Sequence, residues 1–149
     1  MDPGDVVRGL IAAIESGDRA GAHRLLAPDM VMEKMPSTDT HGPFDGVAEV
    51  DRFFDLFGRY ARSVEWEIQR QLGVGELVMH ERVDRIEWLN GVMCDLPVAG
   101  VFVVREGVVV HWRDYFDSGF LDRHVGPWAA FEAELRRSPP INRTPMIDP

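Results

Sequence analysis

Arg82 and Asp84 stand two residues apart, and Asp114 follows thirty positions later. They lie in His80-Glu81-Arg82-Val83-Asp84 and Trp112-Arg113-Asp114-Tyr115-Phe116-Asp117. Both runs read as β-strands. Side chains alternate along a strand, so His80, Arg82 and Asp84 share one face, and Trp112, Asp114 and Phe116 share another. If those faces meet, one guanidinium gathers two carboxylates. Two acids held by one Arg, out of water, suit proton transfer in both directions at neutral pH.

Charges on a strand commonly pair in solvent, where they are worth little. The neighbours here argue otherwise. The Arg82 face continues into Ile86 and Trp88, and facing strands offer Leu96, Val98, Trp112 and Phe116. Buried charge costs several kcal/mol per ion unless paired, so an Arg between two Asp can also be purely structural. His80 reads first as a structural histidine. Asp117 has the opposite parity to Asp114 and reads as a helix cap.

The elements that must position these residues follow from pattern. Val6, Val7, Leu10, Ile11 and Ile14 recur at helical spacing. Asp5 is the expected N-cap, and Gly17-Asp18 ends that helix. A short helix is expected over 19–26, a strand over 30–35, an irregular loop over 36–46 and a helix over 47–60 with Val50, Phe53, Phe54 and Phe57 inward. From Ser63 the period becomes two, through Val64, Trp66 and Ile68. Strands are expected over 77–89, 93–105 and 108–115, joined at Asn90-Gly91 and Glu106-Gly107. Pro97 inside the middle strand predicts a bulge. Short helices over 118–125 and 127–137 precede a Pro-rich tail from Ser138, expected to run extended. Helices first and a meander late indicate an α+β fold, with helices on one face of a bent sheet.

The bulk numbers exclude several classes. A chain of 149 residues, 45% apolar, fits one domain, with a core over about 5–125 and a C-terminal extension over 126–149. A net charge of −9 argues against nucleic-acid and anionic-membrane partners. Cys94 is the only cysteine, so a thiolate zinc site is excluded and a reducing cytoplasm is the expected location. The five His lack ligand spacing, so no metal is expected. The N-terminus lacks the basic region and apolar core of a signal peptide, and no apolar stretch is long enough to span a bilayer.

Glu81-Arg82-Val83-Asp84, then Gly100-Val101-Phe102, then Trp112-Arg113-Asp114-Tyr115-Phe116-Asp117 resemble the limonene-1,2-epoxide hydrolase family. The likeness runs from about Val6 to Phe120 and includes the Met35-Pro36 pair. It implies a strongly curved, six-stranded mixed sheet wrapped by helices around a deep pocket. This is the cone-shaped, cystatin-like α+β barrel shared with nuclear transport factor 2-like and SnoaL-like proteins. It also implies a homodimer needing no cofactor, for which the exposed strand face and Trp128 are candidate contacts. The implied reaction is one-step hydrolysis of a small or medium apolar epoxide to a diol. In that scheme Asp114 is the base, Asp84 the acid and Arg82 the bridge between them. The substrate-binding residues would be Met32, Lys34, Trp66, His80, Ile86, Trp88, Leu96, Val98 and Phe116.

The family holds its attacking water with a Tyr and an Asn before the Met-Pro pair, where this chain has Met32 and Lys34. Met32 cannot hold a water, and a charged Lys34 can donate but not accept. Three chemical accounts follow. Lys34 and His80 rebuild the water site; or the substrate brings its own hydroxyl and a cyclic ether forms; or the acids shuttle a proton, as in an isomerase. In a fourth, Lys34 pairs with an acid and the pocket only binds a ligand.

Overall fold

The computed structural model describes residues 1–35, 42–124 and 126–137. Helix α1 (Pro3–Ser16) and the short α2 (Arg19–Arg24) lead into strand β1 (Leu26–Met35). Asp2 rather than Asp5 caps α1, its side chain accepting from the Gly4 amide at 3.1 Å. Pro3 explains the shift, because its fixed φ suits the first helical position and its missing N–H costs nothing there. Gly17 ends α1 in the left-handed region at φ 74°.

Strand β2 (Phe44–Asp45) falls where only loop was expected. Helix α3 (Val47–Phe57) follows, then β3 (Ala61–Val74), β4 (Leu77–Trp88), β5 (Met93–Arg105) and β6 (Val108–Tyr115). Helices α4 (Ser118–His124) and α5 (Gly126–Arg137) close the described chain. The expected loop residues 36–41 and the tail from 138 lie outside the described residues. The hairpin expected at Asn90-Gly91 forms, with Gly91 at φ 85°.

One six-stranded sheet runs β2-β1-β6-β5-β4-β3. All neighbours are antiparallel except β1 and β6, which run parallel and set Lys34 beside Asp114 and Met32 beside Trp112. Strand β4 alternates strictly, with Val78, His80, Arg82, Asp84, Ile86 and Trp88 buried. The covering helices contribute Val6, Val7, Leu10 and Ile11 from α1 and Val50, Phe53 and Leu56 from α3. Each such aliphatic or aromatic side chain withdrawn from water is worth about 1.5–3 kcal/mol.

Two further expectations fail. The β4–β5 ladder runs through Val83 opposite Pro97 without a register shift, so no bulge forms there. Pairing with β6 stops at Ala99, which leaves β5 with one neighbour at Pro97, and a residue without an N–H is tolerated at such an edge. Trp128, expected as a surface contact, is only 4% exposed. It packs on Trp88, Phe116 and Phe131, so α5 is part of the core rather than an appendage.

Candidate active site

Asp84, Arg82 and Asp114 converge on the inner face of the sheet. Strand β4 presents Arg82 and Asp84, and β6 presents Asp114 from two strands away. The intervening strand makes the meeting possible. Gly100 of β5 pairs with both His80 and Asp114. A Cβ at Gly100 would lie 2.7 Å from His80 Nε2 and 2.8 Å from Phe102 Cε2. Side chains from β4 and β6 therefore reach across β5 over a residue that has none.

Every N–H of the Arg82 guanidinium has a partner. Nε donates to Asp84 Oδ1 at 2.7 Å and Nη2 to Asp84 Oδ2 at 3.2 Å. Nη1 donates to Asp114 Oδ1 at 2.9 Å and Nη2 to Asp114 Oδ2 at 2.8 Å. The remaining Nη1 hydrogen meets His80 Nε2 at 3.1 Å. Because guanidinium only donates, His80 Nε2 must accept, which puts the ring proton on Nδ1. Nδ1 faces Gln71 Oε1 at 3.3 Å, and Gln71 Nε2 donates to the Gly4 carbonyl of α1 at 3.0 Å. Trp66 covers the guanidinium with its ring centroid 4.8 Å from Cζ.

The two carboxylates differ. Asp114 accepts from Arg82 twice, from Trp112 Nε1 at 2.8 Å and from Lys34 Nζ at 2.7 Å, which fills both oxygens. Among the described residues, Asp84 has only Arg82 as a charged partner within bonding distance. Burial raises the Asp84 carboxyl, and Arg82 only partly opposes that. Burial also pushes Asp114 up, but the charges of Arg82 and Lys34 outweigh it and hold that carboxyl well below the usual carboxylate range. Burial opposes the charge on Arg82, yet the two acids hold it above its ordinary value. Burial and then the Arg82 charge lower His80 to about 4, so it stays neutral, as its acceptor role requires. Lys34 is 6% exposed and lies between the rings of Phe53 and Trp112, 5.1 and 5.0 Å from their centroids.

These groups face a hollow of about 40 Å³. Of the residues expected to bind substrate, Lys34, Trp66, Ile86, Leu96, Val98 and Phe116 line it, together with Arg82, Asp84 and Asp114. Met32, His80 and Trp88 are buried but lie off its wall. His80 backs the guanidinium instead, and Trp88 donates from Nε1 to Cys94 Sγ at 3.4 Å. Sequence reasoning turned Phe53, Phe54 and Phe57 inward without assigning them to the hollow, and it missed Leu121 and Trp128. An aromatic triplet at i, i+1 and i+4 was the available sign for α3; nothing local marked α5. Asp117 does cap α4, accepting from the Phe120 amide at 3.1 Å.

The limonene-1,2-epoxide hydrolase catalytic domain matches residues 1–123. The chain belongs to that family. The fold recurs in an NTF2-like protein of unknown function from Burkholderia pseudomallei, at TM-score 0.77 and 22% identity over 85% of this chain and 98% of that one. A limonene-epoxide-hydrolase-like enzyme from M. tuberculosis aligns at TM-score 0.69 and 22% identity, covering 90% of this chain and 95% of that one. IdmH, a proposed polyketide cyclase from Streptomyces antibioticus, aligns at TM-score 0.72 and 22% identity over 85% and 99% of the two chains. At these identities the structural likeness carries the cone-shaped α+β fold alone. Helix α5 lies beyond the family match. No helix among the described residues is long and apolar enough to cross a membrane.

Proposed function

We propose that this protein opens epoxides by paired acid–base catalysis, adding water to give a diol. The observation that carries this reading is the asymmetry of the acid pair: one guanidinium clamps both, yet Asp114 also accepts from Lys34 and Trp112, which favours its ionised form, while burial raises Asp84. Asp84 is the proton donor and Asp114 the acceptor. As the water oxygen bonds to an epoxide carbon, that carbon's bond to the ring oxygen breaks. Asp84 protonates the ring oxygen and Asp114 takes the proton that the water loses. Return of that proton from Asp114 to Asp84 resets the site. No cofactor enters this scheme.

Lys34 takes the place of the family's water-holding pair. A water that accepts from the Lys34 ammonium and donates to Asp114 Oδ2 keeps a lone pair for attack. With both Asp114 oxygens already filled, that water must exchange against the Lys34–Asp114 bond. The same saturation favours a second reading, in which a hydroxyl on the substrate attacks and a cyclic ether forms. Turnover of an apolar epoxide in ¹⁸O-labelled water separates them. Label in a diol supports hydrolysis, an unlabelled cyclic product supports cyclisation, and no product from any apolar epoxide overturns both. The family likeness further suggests a dimer, which sedimentation at micromolar concentration tests; a monomer there would remove it.

A further inference from the structure

The hollow beside the acids holds about 40 Å³, whereas small-molecule sites usually enclose roughly 300–1,000 Å³. It is far too small for a substrate body. A cavity of about 350 Å³ lies directly behind it, between α1, α2, α3 and β3. Phe54, Phe57 and Trp66 belong to the walls of both. Phe54 and Trp66 meet at 6.0 Å between ring centroids and stand as the partition.

We propose that this groove binds the apolar body of the substrate, so that the enzyme takes elongated epoxides whose reactive end passes the Phe54–Trp66 partition to reach Asp84. The proposal rests on the epoxide-opening reading for the identity of the reactive end. The groove's floor is aliphatic, with Ala22, Leu26, Val50 and Ala61 buried. Its charged rim is internally neutralised: Arg19 pairs with Asp55 and lies 3.9 Å from Asp51, and His23 Nε2 lies 2.9 Å from Asp51. Such a rim asks for no charged ligand. Continuity with the acid site names the occupant, because Trp66 faces the groove and stacks on the Arg82 guanidinium.

The other wall of the hollow is a poorer entrance. Leu121 and Trp128 are 1% and 4% exposed and are locked into the core, while Phe54 and Trp66 are half-buried. Opening the partition needs side-chain rotation; opening the α4–α5 wall needs a helix to leave. Glu15 Oε2 accepts from the Trp66 amide at 2.7 Å, tying the end of α1 to β3 and holding the groove's far side in place.

The test compares 1,2-epoxybutane with 1,2-epoxydodecane, and follows dodecane-1,2-diol binding by calorimetry. Ala22→Trp fills the groove floor away from the acids. Ala13→Phe, at a half-buried groove position, is the alternative if the first variant does not fold. Filling should raise KM for the long epoxide at least tenfold, leave the short one within twofold, and abolish diol binding. Equal effects on both epoxides, or none, overturn the groove, as does failure of the diol to bind wild-type protein. Diol binding that the filled variant loses, with neither epoxide opened by wild type, keeps the groove and removes the epoxide chemistry. Epoxide opening indifferent to groove filling does the reverse.

Discussion

Strand β4 carries Arg82 and Asp84 on its inner face and Glu81, Arg85 and Glu87 on its outer face. Both faces form ion pairs. On the outer face Arg70 reaches Glu81 at 3.3 Å, Arg62 reaches Glu87 at 3.3 Å, and Arg85 contacts Glu67. Those outer side chains are mostly wet, with Arg70 81% and Glu81 58% exposed, whereas Arg82 and Asp114 are 1% exposed. Bulk solvent screens the first set and is largely shut out of the second, so the same residue types decorate one face and set proton affinities on the other. Burial, more than pairing, separates ordinary surface charge from a reactive site.

The largest effect expected is on turnover. Asp84→Asn and Asp114→Asn should each lower kcat/KM by roughly 10²–10⁴-fold, as loss of a general acid or base does. Steady-state rates on an apolar epoxide check this, and normal turnover in both variants would remove the assigned roles. In wild type, activity should fall as pH rises through the raised Asp84 value, because the proton donor is then lost. Asp114 remains ionised far into acid and adds no acid limb of its own.

Arg82→Leu leaves two buried carboxylates without their shared cation. A loss of about 3–5 kcal/mol is expected, read by urea denaturation at neutral pH. His80 offers a pH-dependent version of the same break. Its folded value of about 4 lies below the unfolded value of 6.5, so the unfolded chain binds the proton first as pH falls. Stability should therefore be complete above pH 6.5 and decline by about 3 kcal/mol towards pH 4. His80→Gln should flatten that decline; an unchanged slope would show that another group causes it.

Gly100→Ala pushes a methyl group against His80 and Phe102. A cost of about 1–3 kcal/mol is expected, with a matching fall in activity as His80 loses its place behind Arg82. At the bottom of the scale, Glu81→Ala should leave both the melting midpoint and turnover unchanged. A large shift there would erase the contrast between the two faces.

The same contrast explains what the sequence could convey. Alternation along β4 and β6 is local, so the shared face of Arg82, Asp84, Ile86 and Trp88 was legible, as were the Asn90-Gly91 turn and the helices of the first half. The Gly100-Val101-Phe102 motif was legible as a resemblance, but its role as the bare spot under the clamp needs the β4–β5–β6 register. Lys34 could be placed on a strand, yet its partner depends on β1 joining β6 in parallel across eighty residues of chain. His80 sat on the right face but behind the guanidinium instead of on the cavity wall. Pro97 misled because its consequence depends on where a neighbouring strand stops. Residues 126–137 carried no catalytic motif, and only packing shows that they close the hollow.

Helix α5 sets a boundary condition for anyone cutting or grafting this domain. Phe131 rests on Phe53, Phe57 and Tyr60, while Glu134 joins Arg59 and Tyr60. A fragment trimmed to the family's 123 residues would strip the cover from that aromatic floor and leave it sticky. The segment beyond the family match is thus part of the core, and a shortened version would lose it.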